Sequence, residues 1–250
     1  MTDTLLRWSY PRIIAHRGGG HYAPENTLAA VRLGAQRGFT MVEYDVKLTQ
    51  DDLAILLHDD KVDRTSNGSG DAGAMSYREL ATLDFGAWHS ARYAGEPIPT
   101  LYAIAAFTQH NGILSDIEIK PCAGTEEHTG TLVTRMARLM WAHAKVPPLL
   151  SSFSEIALAA ALREAPELPR ALLIADELPT DWRERMQRLQ CVALNMNQRH
   201  VTPDAIHRVH EAGYKITAWT VNDTVRAHDL LDWGCDAIFT DEIEAIPASI

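Results

Sequence analysis

Short apolar runs recur along this chain, and between them lie longer segments whose apolar residues return every three to four positions. Such alternation predicts a parallel sheet joined by crossover helices: each short run can be buried on both faces, and each helix has one face to bury against it. Eight runs qualify as strands, at residues 12–15, 41–46, 113–119, 148–151, 170–174, 191–194, 215–219 and 236–239. Eight β/α units with no break in composition favour an α/β fold of the TIM (β/α)8 barrel type over a doubly wound sheet. At 250 residues the chain has a usual length for one such barrel, so a single domain over residues 1–250 is expected.

Several helices carry their own boundary signals. In "VTPDAIHRVHEAG", Thr202 is expected as N-cap, Pro203 at the first helical position, Ile206 and Val209 on the apolar face, and Gly213 as terminator. The same grammar assigns Asn222 and Gly234 to "NDTVRAHDLLDWG". It assigns Asn26 and Gly38 to "ENTLAAVRLGAQRG", with Leu28, Val31 and Ala35 as the stripe. One stretch breaks the repeat. The long Gly-, Ser- and Asp-rich segment before the helix near 101–110 is too long for a structureless loop in a compact domain unless it is functional or partly folded. It is read as a short extra strand at 53–57, a helical turn at 77–82, and a small inserted subdomain at about 59–99 over one barrel end.

In a barrel of this type reactive groups collect where strands end and the following loops begin. Glu43 and Asp45 are two apart, so on an extended strand they share a face. Glu118, inside the apolar run "ILSDIEIK", faces the same interior from the neighbouring strand. Three carboxylates converging in a dry place repel one another unless a cation sits among them, and oxygen-only ligands select one hard divalent ion, Mg²⁺ or Ca²⁺. The alternative for any one acid is an ion pair with a nearby Arg or Lys.

His16 and His58 follow apolar runs at the same expected end. A pair of histidines flanking a metal suits general acid and base work, because imidazole titrates near neutrality. Arg17 and Lys120 add positive charge that can neutralise a phosphate, although Lys120 can equally pair with Asp116 or Glu118. The glycines of "HRGGG" fit neither a Walker A nor a GxGxxG spacing and are read as permitting a tight turn. Trp219 is either core or a wall for the apolar part of a substrate.

With 23 basic and 33 acidic residues the net charge is -10, so the surface repels nucleic acid and anionic membrane, and an anionic substrate needs a local positive cluster. No apolar run approaches a membrane span, and "MTDTLLRWSYPR" lacks the basic and apolar pattern of a secretory leader. The cysteines, Cys122, Cys191 and Cys235, are odd in number and dispersed. They read as reduced thiols, and a cytoplasmic location is expected. The sequence does not specify an oligomeric state, and a homo-oligomer is compatible with it.

The motifs "AHRGGGHYAPENT", "VEYDVKLTQDD", "LLHDDKVDRTSNG", "GEPIPTL", "IEIKP", "SSF", "AWTVN" and "FTDEIE" follow one another in the order and spacing of the glycerophosphodiester phosphodiesterase family. The chain resembles that family from about Ile13 to Asp241, and its short cytosolic bacterial type in particular. The resemblance implies a TIM barrel with a small insertion after the second strand. It implies a divalent cation at Glu43, Asp45 and Glu118, acid and base catalysis by His16 and His58, and phosphate contact by Arg17. Glu25, Asn26, Lys120 and Trp219 match positions that line or support the site. Two departures stand out: "QDD" at Asp51 and Asp52 replaces an acid and glycine pair, and Cys235 stands in "GCDAIFTD" where valine is common.

The expected function is metal-dependent hydrolysis of glycerophosphodiesters, such as glycerophosphocholine or glycerophosphoethanolamine, to sn-glycerol 3-phosphate and an alcohol. A phospholipase D-like enzyme acting on lysophospholipids would need an apolar groove beside the same site. A noncatalytic binder of phosphorylated metabolites would have no need of both histidines.

Overall fold

The computed structural model describes residues 8–249. Residues 1–7, most of the stretch read for a leader, lie outside the described residues. The elements run β1 (Ile13–Ala15), α1 (Leu28–Gln36), β2 (Met41–Leu48), β3 (Ala54–Leu56), α2 (Tyr77–Leu80), α3 (Leu101–His110), β4 (Leu114–Ile119), α4 (Glu126–Met140), β5 (Leu149–Ser152), α5 (Glu155–Glu164), β6 (Arg170–Ile174), α6 (Trp182–Leu189), β7 (Ala193–Asn197), α7 (Pro203–Glu211), β8 (Lys215–Trp219), α8 (Thr224–Asp232) and β9 (Ala237–Thr240). Eight parallel strands pair in the order β1, β9, β8, β7, β6, β5, β4, β2, and β2 pairs back onto β1. The sheet is thus a closed TIM barrel. The extra strand β3 lies antiparallel on β2, with Val46 opposite Leu56.

All of β2 is buried, as a barrel strand covered on both faces must be. Its pleat separates two chemistries: Val42, Tyr44, Val46 and Leu48 join the apolar layer beneath the helices, while Glu43, Asp45 and Lys47 take the other face. A second apolar cluster, including Ile14, Met41, Leu149, Ala171, Ala193 and Phe239, fills the barrel interior. The segment between β3 and α3 packs around its own small core of Ile55, Leu57, Val62, Ala72, Leu80, Phe85 and Ile98. Among the described residues, no helix is long and apolar enough to cross a membrane.

Two of the expected caps move by one residue. Thr202 does cap α7, accepting from the Ala205 amide at 3.1 Å. For α1 the cap is Thr27, which accepts from the Ala30 amide at 3.1 Å, and for α8 it is Asp223, which accepts from the Arg226 amide at 2.7 Å. Asn26 and Asn222, read as caps, each stand one residue earlier, and their side chains serve the site instead. Strand limits shift for a related reason: pairing, not apolarity, sets them. β7 continues through Asn195 and Asn197 because these pair with Thr217 and Trp219 of β8, and β9 runs on to Thr240, which pairs with Ala15.

Candidate active site

The register of β2 and β4 sets Asp45 directly beside Glu118. With Glu43 two residues back on the same face, one oxygen from each acid lies within 4.8 Å of the others, and all three side chains are buried. Burial, then the charges of Asp45 and Glu118, push the Glu43 carboxyl well above its ordinary range. Burial and Asp45 also raise Glu118, although Lys120 opposes them. Asp45 goes the other way. Burial would raise it, but the adjacent Lys120 and Arg17 charges, His58, and a hydrogen bond from Asn26 hold it low.

The partners of these acids decide between ion pairing and metal binding. Lys120 Nζ lies 2.8 Å from Glu118 Oε1 and 3.3 Å from Asp45 Oδ1, and Arg17 Nε lies 3.4 Å from Asp45 Oδ2. Asn26 clasps Asp45 twice, donating from Nδ2 to Oδ2 at 2.8 Å and accepting the Asp45 amide at 3.0 Å. Ion pairing therefore accounts for Asp45 and Glu118. It does not account for Glu43, whose Oε2 accepts the Arg17 amide at 3.0 Å while Oε1 is buried with no hydrogen-bond partner. Three carboxylates facing two cations keep an excess of negative charge, and a buried oxygen with no donor beside it suits a positively charged ligand. The donors are all oxygen, so the triad can hold a divalent cation.

The two histidines are built alike. His16 Nδ1 is 2.7 Å from Asp241 Oδ1, and His58 Nδ1 is 2.7 Å from Asp59 Oδ1. An ionised carboxylate only accepts, so each Nδ1 carries hydrogen and each Nε2 is left to exchange protons. His16 Nε2 lies 3.8 Å from Glu43 Oε2, which puts it at the edge of the triad. Burial lowers the pKa of His58, with the Asp45 charge opposing. Asp241 is drawn down to about 2: burial resists, but the hydrogen bond and charge of His16 and the amide of Asn222 prevail. Asn222 grips Asp241 at 2.9 Å from its Nδ2 and accepts the Asp241 amide at 2.9 Å.

The glycine-rich turn after β1 makes this closure sterically possible. Arg17 and Gly20 both adopt left-handed backbone, with φ of 50° and 54°. A Cβ on Gly20 would sit 2.0 Å from the Asp241 carbonyl oxygen, so only glycine allows the turn to approach β9 this closely. Arg17 is anchored by Nη1 to Glu25 Oε1 at 2.7 Å.

These groups open into one cavity of about 290 Å³, lined by His16, Arg17, Glu43, His58, Glu118, Lys120 and Trp219 among others. The structure thus brings seven of the eight residues expected from the sequence into one lining. The eighth, Asp45, stands within the acid triad. Trp219 is half-buried, donates from Nε1 to the Asn195 carbonyl at 2.9 Å, and meets Phe153 edge-on at 5.3 Å, so it is a fixed wall of the cavity. The sequence reading did not single out Asp241 as the partner of His16. Asp241 stands two residues past the apolar run that ends at Phe239, because pairing with Ala15 carries β9 on through Thr240.

The sequence pattern of the Glycerophosphoryl diester phosphodiesterase family matches residues 16–245. A glycerophosphodiester phosphodiesterase from Caldanaerobacter subterraneus subsp. tengcongensis is 30% identical over 234 residues, covering 94% of this chain and 95% of that protein. The Bacillus subtilis protein YhdW is 34% identical over 233 residues, covering 92% of this chain and 93% of YhdW. Among solved structures, an Oleispira antarctica phosphodiesterase in complex with the product sn-glycerol-3-phosphate superposes with a TM-score of 0.89 at 35% identity. The match covers 96% of this chain and 95% of that one.

Proposed function

The chain belongs to the glycerophosphoryl diester phosphodiesterase family, and from that premise we propose how its cavity cleaves a glycerophosphodiester. The activity is that of a phosphoric diester hydrolase. Its substrates are small diesters such as glycerophosphocholine or glycerophosphoethanolamine, and its products are sn-glycerol 3-phosphate and the alcohol.

Glu43, Asp45 and Glu118 would hold one divalent cation, with Mg²⁺ and Ca²⁺ both suited to an all-oxygen donor set. When bound, the cation supplies Lewis acidity and neutralises charge on the phosphate. Arg17 and Lys120 bind the remaining phosphate oxygens and stabilise the charge that builds there in the transition state. One imidazole takes the proton of the attacking oxygen at Nε2, and the other gives a proton from Nε2 to the departing alkoxide. Asp241 and Asp59 hold both rings in the tautomer this requires and stabilise each imidazolium as it forms. Trp219 and Phe153, edge to face, offer an aromatic wall to the apolar part of the substrate. A reducing compartment, the cytoplasm, completes this reading, supported by three cysteines that form no disulfide.

The observation that carries the proposal is the pair of carboxylate-bound histidines lining one cavity with the acid triad. It is tested by coupled release of sn-glycerol 3-phosphate from glycerophosphocholine and glycerophosphoethanolamine, with and without chelator and with Mg²⁺ or Ca²⁺ restored. Release that stops on chelation and returns with the ion is expected; full release in chelator overturns the metal role.

One feature favours a second reading. An open groove of about 660 Å³ leaves the site past Ile119, Pro121, Phe153 and Ile156, of which the last two are exposed. Asp60, Glu126 and Glu155 line the same groove, so Phe153 and Ile156 are the apolar surface it offers to a lysophospholipid chain. Lysolipid turned over faster than glycerophosphocholine would select that reading.

A further inference from the structure

One side chain of the segment after β3, Arg64, binds the acids that hold two residues of the catalytic cavity, His58 and Arg17. Arg64 donates to both oxygens of Asp59, from Nε at 2.7 Å and from Nη2 at 3.0 Å. It also donates to both oxygens of Glu25, from Nη1 at 2.7 Å and from Nη2 at 2.8 Å. Each of these acids holds one of the groups assigned above to the chemistry. Asp59 Oδ1 binds His58 Nδ1 at 2.7 Å, and Glu25 Oε1 binds Arg17 Nη1 at 2.7 Å. A continuous chain of charged hydrogen bonds therefore runs from the proton-transfer imidazole to the phosphate-binding guanidinium, with Arg64 at its centre.

The geometry selects arginine. Two bidentate contacts on two separate carboxylates need a planar fork of N–H groups; an ammonium offers a point charge and cannot grip both acids in this way. An isolated exposed ion pair contributes little to stability, and Arg64 is partly exposed. Its value lies in orientation: without it Asp59 is held by His58 and Glu25 by Arg17, with no second grip to fix the direction of either carboxylate or of the group it holds. The electrostatics agree, since the hydrogen bond from Arg64 does most to hold the Asp59 carboxyl low, against burial and ahead of the bond from His58.

Resting on the roles given above to His58 and Arg17, we infer that Arg64 is a positioning residue that sets both at once, so that the inserted segment controls proton transfer and phosphate binding through a single side chain. Arg64→Met removes every donor while keeping a long side chain. It is expected to lower kcat by ~10-fold or more and to raise KM by a smaller factor, with the melting temperature little changed. Free guanidinium ion is expected to restore part of the lost rate, and Arg64→Lys to recover less than guanidinium does.

An independent readout uses the metal-free protein: the ¹⁵N signals of the His58 ring report hydrogen fixed on Nδ1 in the wild type and a tautomer mixture in Arg64→Met. Wild-type turnover and unchanged ring signals in Arg64→Met overturn the inference. If the wild type itself releases no sn-glycerol 3-phosphate, the functional reading fails, and the ring signals alone still decide what Arg64 does to His58. Should Arg64→Met fold poorly, the same signals in Arg64→Lys decide: an unaltered Nδ1–H tautomer overturns the inference, and a mixture supports it.

Discussion

Nδ1 of His16 lies 2.7 Å from Oδ1 of Asp241, a bond that ties the end of β1 to the end of β9 across the seam where the barrel closes. The two residues are 225 positions apart. Asp241→Asn keeps the shape but offers an amide that can donate to Nδ1, which moves the imidazole hydrogen to Nε2 and removes the proton acceptor. Expected is a fall in kcat of about 10² or more with the fold intact, read from steady-state kinetics beside circular dichroism. Wild-type kcat in that variant would take His16 out of proton transfer.

The same carboxylate links stability to pH. Its pKa is about 2 in the folded protein, below the roughly 3.9 of an unfolded aspartate. A depressed acid contributes stability that is fully present above the unfolded value and is lost as pH falls through the folded one. The contribution is on the order of 2 kcal/mol. Urea unfolding of wild type and Asp241→Asn should differ at pH 5 and converge toward pH 2; a gap that stays constant contradicts the assignment.

Glu118 stands within the acid triad and is raised by burial and by Asp45. Glu118→Gln leaves a neutral group of the same size, so the protein should fold. It should bind divalent cations more weakly by calorimetry and lose turnover. Unaltered cation affinity would remove Glu118 from the ligand set.

His58 borders the cavity with Nδ1 held by Asp59. His58→Ala is expected to lower kcat by on the order of 10² or more while KM changes little. Rates equal to wild type would leave His58 no part in the reaction.

Gly20 meets the backbone of Asp241 so closely that a methyl group cannot fit. Gly20→Ala combines that clash with left-handed backbone and should destabilise the protein by about 1–3 kcal/mol. Activity should fall further than stability explains, because the displaced segment carries the partner of His16. Calorimetric melting and kcat measured together test the coupling.

What could be read from residue order was whatever a period or a register determines. Glu43 and Asp45 share a face because strands repeat every two residues, and Glu118 joins them because β2 and β4 are neighbours in register. The caps of α1 and α8 fall one position after the asparagines because Asn26 and Thr27, or Asn222 and Asp223, are equally good cap formers; which one caps depends on what the other is needed for. Asn26 is needed by Asp45 and Asn222 by Asp241. Arg64 was silent for a different reason: its meaning lies in reaching Glu25, 39 residues earlier, and no local pattern records that contact.

The seam bond has a consequence in time. A ribosome emits His16 early and the aspartate that orients it 225 residues later, so a nascent chain lacks this bond until the last strand docks. A stalled or prematurely stopped translation product that ends before Asp241 would carry nearly every ingredient of the catalyst and none of the grip that aims its first imidazole.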